Sequence, residues 1–288
     1  MKVAFAMIVF NGEMFLKQVL ESIYPFANQI VISEGTVKYW ADKGFKTSTD
    51  NTNKILAEFP DPENKITVVH GTYNEKTELC RAYMPHIRQD TDYLWTIDSD
   101  EVFKTEDIIK VIQLLKNEKP GSIGFQSNTF FGGFNHILTG FERDHSFKRI
   151  LKYVDGCTYV DHRPPTLSSE HGVAISGRQL FDKTGVEMYH YSYVSPKQVF
   201  EKIQYYKESL SKNNCIDNYF NEIWLPWVRG NDEIKQQIET KWKGVHEFVP
   251  SYRGDCYTQF FIGQHPVPIK NSIKDLEFQF IQQIKQYV

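Results

Sequence analysis

The sequence predicts an α/β fold, and three observations carry that expectation. Over residues 3–121, four short apolar runs alternate with segments whose apolar residues recur at helical spacing. Residues 122–193 turn to β-like runs separated by Gly and Pro pairs, and from Ser195 helical spacing returns and holds to the end. Alternating strands and helices followed by further strands describe a mixed sheet with helices on its faces. The expected division is an α/β domain over residues 1–193 and a mainly helical extension over 194–288, packed on it.

Each element has a local reason. Residues 3–10 are continuously apolar, as a parallel strand covered on both faces requires. Asn11-Gly12 supplies a turn, and Met14, Phe15, Val19, Leu20 and Ile23 form the buried side of a helix that Pro25 ends. Residues 29–33 are a second strand finishing in Glu34-Gly35, which completes a strand–helix–strand unit. The polar stretch 36–53, with Thr47-Ser48-Thr49-Asp50-Asn51-Thr52, reads as a loop. Ile55, Leu56 and Phe59 then mark a helix closed by Pro60 and Pro62. Residues 65–69 are a third strand, 75–87 a helix carrying Lys76 and Arg81, and 93–97 a fourth strand. Thr105 is expected to cap the next helix, with Glu106 and Asp107 against the positive end of its dipole, and Pro120-Gly121 stops it. These four strands make a Rossmann-like half.

Beyond it, residues 122–131, 146–154 and 186–193 are β-like, split by Gly132-Gly133 and by Arg163-Pro164-Pro165. Ser195-Pro196-Lys197-Gln198 has the capping-box pattern with Pro at the first helical position, so a helix starts there and is expected to run past Leu210. Residues 218–228, 233–242 and those from Ser272 onward are helical by the same criterion.

Composition narrows the function. A formal net charge of -3 gives no long-range attraction to nucleic acid, so any phosphate recognition must be local. Cys80, Cys157, Cys215 and Cys256 are scattered, which argues against a zinc site or a disulfide framework and fits a reducing, cytoplasmic setting or the cytosolic face of a membrane. The apolar start is too short to span a bilayer and reads as a buried strand, not a leader or a transmembrane segment. Aromatic residues reach 15%, enough for a well-filled core and some stacking surfaces. Phe130, Phe131, Phe134 and Phe141 flank Gly132-Gly133 as either core or an acceptor loop. Trp224, Trp227 and Trp242 could build an acceptor platform or a homo-oligomer contact.

The chemistry concentrates in Tyr93-Leu94-Trp95-Thr96-Ile97-Asp98-Ser99-Asp100-Glu101, where an apolar run empties into three carboxylates. On an extended chain, side chains two apart point the same way, so Asp98 and Asp100 are expected to converge on one hard cation, Mn²⁺ or Mg²⁺. A chain of this length carries about one Asp-x-Asp by chance. The second copy, Asp90-Thr91-Asp92, has no apolar lead-in and reads as a solvated loop. Asp98 and Asp100 instead sit just past the carboxyl end of a strand, where open α/β sheets collect ligands.

Several stretches in this order resemble glycosyltransferases of the GT-A fold, family 2-like. They are Val9-Phe10-Asn11-Gly12-Glu13, Glu34, Ser48-Thr49-Asp50-Asn51-Thr52, Asn74-Glu75-Lys76 with Arg81, Asp98-Ser99-Asp100-Glu101, Lys148-Arg149-Ile150-Leu151-Lys152 and His190-Tyr191-Ser192-Tyr193. The likeness spans residues 1–210. It implies a metal-dependent enzyme that moves a sugar from a nucleoside diphosphate sugar to a hydroxyl of a glycan, lipid-linked or protein acceptor. Residues 1–193 would then be the nucleotide-sugar-binding and catalytic domain. Phe10, Asn11, Glu34, Lys76, Arg81, Asp98, Ser99 and Arg149 would hold the donor, and Asp98, Asp100 and His190 the metal. Family members usually carry Asp where Glu34 stands.

The acceptor base is expected in Asp161-His162, in an order reversed from the related His-Glu pair, with Glu142, Asp144 and Asp155 as competitors. Two other readings share the fold. A sugar-phosphate nucleotidyltransferase would need a Gly-rich basic loop that Asn11-Gly12-Glu13-Met14 lacks. A catalytically inactive glycan-binding or scaffold protein would have no use for Asp98 and Asp100.

Overall fold

The computed structural model describes residues 1–209, 215–248 and 253–287. It divides into two compact units. One comprises Met1–Gln126, Ser146–Met188 and Pro266–Pro268; the other comprises Ser127–His145, Tyr189–His265 and Ile269–Val288. This division differs from a boundary at residue 193, since it gives 127–145 and 189–193 to the second unit.

In the first unit, β1 (Val3–Val9) leads through a turn into α1 (Leu16–Ile23), then β2 (Gln29–Val37) and α2 (Lys38–Ala41). Next come α3 (Thr52–Glu58), β3 (Ile66–Tyr73), α4 (Lys76–Tyr83) and β4 (Tyr93–Thr96). The short β5 (Glu101–Val102), α5 (Thr105–Glu118) and β6 (Ser122–Phe125) follow. After the excursion of β7 (Ser127–Phe131), β8 (His136–Leu138) and α6 (Phe141–Asp144), the chain continues as β9 (Phe147–Lys152) and the hairpin β10 (Tyr159–His162) and β11 (Pro165–Leu167). The first unit closes with β12 (Ala174–Ile175) and α7 (Gly177–Thr184).

Its seven-stranded sheet runs β12-β6-β9-β4-β1-β2-β3. Strands β4, β1, β2 and β3 are mutually parallel, whereas β9 is antiparallel to both β4 and β6. The mixed sheet expected from the sequence is therefore present. Trp95 is the aromatic centre of the core, with ring centroids 5.0 Å from Phe5, 5.1 Å from Phe103 and 5.5 Å from Phe125. On the other side, Leu94, Tyr83, Cys80, Leu151 and Tyr159 pack together, and burial pushes the Cys80 thiol up to about 12. All four cysteines are free.

The second unit has its own core. Strands run β14 (Thr258–Phe260), β8, β7, β13 (Met188–Tyr193). Around them lie α8 (Pro196–Ser209), α9 (Leu225–Arg229), α10 (Asp232–Trp242) and α11 (Val267–Lys285). Trp224 and Trp227 are buried with Phe131, Tyr193 and Ile223, and Trp242 packs against the same cluster, so these tryptophans are core side chains. Phe130, Phe131 and Phe134 are buried too. Gly132 has φ +63, and a Cβ there would lie 2.6 Å from the Trp227 ring, which fixes the Gly-Gly turn against the core. Among the described residues, no helix is long and apolar enough to cross a membrane.

Three local expectations change. Residues 122–131 form two strands, broken at Gln126, that belong to different sheets. Thr105 is the first residue of α5, with Lys104 as an N-cap whose side chain makes no capping bond. The start of the last helix lies at Val267, ahead of Ser272. The Ser195 Oγ does accept from Gln198 N–H, but its own hydroxyl donates to Gln283 Oε1. The continuation of α8 past Leu210 lies outside the described residues.

Asp107 carries a stability signature. It is buried in the first turn of α5, and burial pushes its carboxyl up to about 6 despite Lys110 nearby. A raised folded value means this carboxyl favours the folded state below its unfolded value and loses that contribution as pH rises through about 6. Asp107→Asn is therefore expected to raise stability at pH 8 by roughly 1–3 kcal/mol, with the gain fading as pH falls and vanishing below about pH 4. Urea unfolding across that range is the check.

Candidate active site

The site is built at the carboxyl ends of β1, β2 and β4 in the first unit. Strand β4 ends at Thr96, and Asp98-Ser99-Asp100 is a turn, closed by Glu101 N–H donating to the Asp98 carbonyl at 3.1 Å and by Asp98 N–H donating to Glu101 Oε2 at 3.1 Å. The expectation that Asp98 and Asp100 lie on an extended strand is thereby corrected. Their side chains differ in setting: Asp98 is 46% exposed and Asp100 is buried.

Arg149 organises this turn. Thr96 Oγ1 donates to the Arg149 carbonyl at 3.0 Å, and antiparallel pairing of β9 with β4 carries the guanidinium to the strand end. Its Nε lies 3.0 and 2.9 Å from the Glu101 oxygens, and Nη2 lies 2.5 Å from Glu101 Oε1 and 3.0 Å from Asp98 Oδ2. Glu101 has no exposure to water. Burial acts to lower the Arg149 pKa, but Glu101 and Asp98 outweigh it and hold the group firmly protonated. Of the two Asp98 carboxylate oxygens, Oδ2 is the one that Arg149 engages.

The turn after β1 meets the same place. Asn11 stands at φ +56, and a Cβ at Gly12 would lie 2.7 Å from Val9 Cγ2 and 2.9 Å from Ser99 Oγ, so only glycine lets the two turns touch. A polar seam then joins residues 11–13 to residues 48–52. Asn11 N–H donates to Ser48 Oγ (2.9 Å), Gly12 N–H to Thr52 Oγ1 (2.8 Å) and Glu13 N–H to Asp50 Oδ2 (3.2 Å). Thr49 N–H returns to Asn11 Oδ1 (2.9 Å) and Asn51 N–H to Glu13 Oε2 (2.9 Å).

Glu34, at the end of β2 and fully buried, anchors the start of that loop. It accepts from Ser48 N–H (2.7 Å) and Thr47 Oγ1 (2.8 Å), with His70 Nδ1 at 2.9 Å. Burial raises its pKa, but these hydrogen bonds prevail and hold the carboxyl below its ordinary range. Phe10 is half-buried with its ring 5.5 Å from Trp40.

The remaining candidates fall into place as follows. Lys76 begins α4, and Arg81, exposed, donates from Nε to the Tyr159 carbonyl at 2.8 Å. His162 lies on β10 with Nδ1 3.1 Å from Thr77 Oγ1. Burial, then Lys76 and Arg163, lower its pKa to about 4, against an opposing pull from Asp161 and Asp98. Asp161 is exposed; its Oδ1 accepts from Arg163 N–H at 3.0 Å and lies 3.6 Å from His162 Nδ1. Asp155 is exposed in the first unit. His190, Glu142 and Asp144 belong to the second unit, where His190 is buried on β13, Glu142 pairs with Arg253 and Asp144 is exposed. Sequence reading gave no role to Glu101 or His70; nothing in spacing marks a residue whose partner lies dozens of positions away.

Residues 46–162 match the family model for glycosyl transferase family 2. No curated protein matches the chain. Among solved structures, the chain is similar to S. aureus TarS 1–349 in complex with UDP-GlcNAc, at 12% identity, 99% of this chain, 82% of that chain and a TM-score of 0.41. It is also similar to glucosyl-3-phosphoglycerate synthase from Mycobacterium tuberculosis in complex with Mn²⁺, UDP and phosphoglyceric acid, at 14% identity, 45% of this chain, 43% of that chain and a TM-score of 0.27. The similarity to glycosyl transferase family 2 is thus confined to residues 46–162 of a mixed α/β chain.

The ion pairs yield a prediction of their own. Arg149→Met leaves Glu101 buried without the guanidinium that meets both its oxygens, so it is expected to cost about 3–5 kcal/mol, whereas Asp98→Ala, at a half-exposed partner, costs about 1 kcal/mol or less. Adding Glu101→Leu to Arg149→Met should recover most of the loss. Chemical denaturation of the four proteins provides the measurement.

Proposed function

We propose that this chain is a metal-dependent glycosyltransferase of the cytoplasm that moves a sugar from a nucleoside diphosphate sugar to a hydroxyl acceptor on a glycan, a lipid-linked sugar or a protein. The observation that carries the reading is the Asp98 carboxylate, fixed on one oxygen by Arg149 at the end of a parallel strand. Within a family 2-like segment, this is a built acidic position at the mouth of the sheet.

A hard divalent ion suits the donor set. Asp98 and Asp100 offer carboxylate oxygens, which Mn²⁺ and Mg²⁺ prefer. His190 is proposed as a further ligand on its chemistry alone, a neutral imidazole being an acceptable partner for carboxylates on Mn²⁺. When bound, the ion neutralises charge on a departing diphosphate. The chain's own residues orient and screen. Arg149 holds Asp98 by one carboxylate oxygen, and Glu101 keeps Arg149 in place. Lys76 and Arg81 on α4 supply positive charge for phosphate, and Ser99 and Asn11 line the junction of the two turns. Glu34 supports the nucleoside side by ordering residues 47–52 next to Phe10 and Asn11.

His162 is the proposed acceptor base in preference to Asp161. Its pKa of about 4 leaves the imidazole neutral and able to take a proton at neutral pH. Asp161 already caps the hairpin turn through Arg163 N–H.

Two outcomes are expected. Asp100→Ala should leave the fold unchanged by circular dichroism while abolishing the Mn²⁺-dependent part of nucleotide-sugar binding in calorimetry; equal donor affinity with and without metal in the unaltered protein rejects the metal role. Screening a panel of nucleotide sugars by thermal shift identifies the donor. For the base, kcat/KM is expected to be flat above about pH 5 and to fall as pH drops through about 4, where His162 protonates. His162→Gln should reduce kcat by about a hundredfold or more. A loss smaller than about threefold transfers the role to Asp161.

A further inference from the structure

We propose that the outward face of α11 docks the protein on an anionic lipid surface. The orientation of this helix is fixed from its inner side, where Ile269 and Leu276 are buried, Phe280 and Ile284 pack against the second unit's core and Gln283 accepts the Ser195 hydroxyl at 3.0 Å. The outward side also exposes Asn271, Asp275, Glu277, Gln279 and Gln282, and one stripe on it combines lysines with large apolar side chains. Lys270, Lys274, Phe278, Ile281 and Lys285 are all exposed. At 100° per residue their spacing places them within an arc of about 80°. Phe278 is 63% exposed and Ile281 50%.

Large apolar side chains held in water among lysines describe a surface with two simultaneous demands. Its partner must offer negative charge at one depth and an apolar layer just beneath. A bilayer with anionic headgroups meets both: Phe278 and Ile281 enter the boundary between headgroups and acyl chains, while the lysine ammonium groups stay among the phosphates. Docking is superficial, since no described helix is long and apolar enough to cross. A second copy fits worse. Two-fold pairing of this face sets the Lys270, Lys274 and Lys285 group against the same lysines of the partner, while the exposed acids Glu277 and Asp275 lie outside the stripe, one on each side. The inference uses only α11 and does not rest on the donor reading above.

The test is co-sedimentation of the full chain with vesicles of phosphatidylcholine alone or of phosphatidylcholine with phosphatidylglycerol. Binding is expected only to the anionic vesicles and should weaken as salt is raised. The pair Phe278→Ser with Ile281→Ser and, separately, the pair Lys270→Glu with Lys274→Glu are each expected to reduce partitioning by about tenfold or more. Both should keep the circular dichroism spectrum and thermal midpoint of the unaltered protein. Equal partitioning onto neutral and anionic vesicles, or onto neither, overturns the proposal. So does a dimer seen by analytical ultracentrifugation that the Phe278→Ser, Ile281→Ser variant loses.

Discussion

The pairing of Glu101 with Arg149 is the constraint on which the acidic turn depends. A carboxylate with no exposure is costly unless a cation meets it with good geometry, and the guanidinium fork supplies three contacts to its two oxygens. The consequence runs both ways along the chain. Arg149 cannot leave without stranding a buried charge, so β9 is held in antiparallel register beside β4. Glu101 cannot turn away either, and its second oxygen fixes the backbone of Asp98. A residue proposed to bind a ligand is thus positioned by two others that have another task.

A second constraint acts on the opposite wall. The loop over residues 47–52 contains little to bury, and its polar side chains give no hydrophobic reason to adopt one shape. Instead it is held by hydrogen bonds at both ends: Glu34 beneath Thr47 and Ser48, and the turn of residues 11–13 alongside. Glu34 uses its carboxylate oxygens on the protein itself, as its depressed pKa reflects. The extra methylene of Glu relative to Asp therefore has a role here: it lets a carboxylate rooted in β2 reach a loop more than a dozen residues further on.

Much of the fold was legible because its signals are local. The apolar run of residues 3–10, the helical spacing after Asn11-Gly12 and the Pro-Gly stop at 120–121 each act within one element, and the strands and helices appear there. Gln126 was illegible: nothing in an unbroken β-like run tells that the chain changes sheets, because that depends on partners contributed by later strands. The hairpin at residues 159–167 was missed for a related reason, since its strands are four and three residues long and the first is largely exposed. In the site, Asp98 and Asp100 stood out as carboxylates after an apolar run, yet the period-two argument for their convergence assumed a strand that ends earlier. Glu101, the most buried of the three acids, had no sequence mark beyond adjacency.

That correction strengthens the chemical case for Asp98. On a strand, two aspartates facing one way would repel until a cation arrived, and each would be free to rotate. In the turn, one oxygen of Asp98 is already engaged by Arg149 and the backbone is closed by Glu101, so little rotamer freedom is left to lose on binding. A cation approaching the other oxygen would meet a carboxylate already held from behind by the Arg149 guanidinium. The same guanidinium reduces the net field at the turn and so limits how tightly an ion is held without its diphosphate. Under the proposed function, such a site would hold metal and donor better together than either alone, which is the coupling that transfer from a charged leaving group requires.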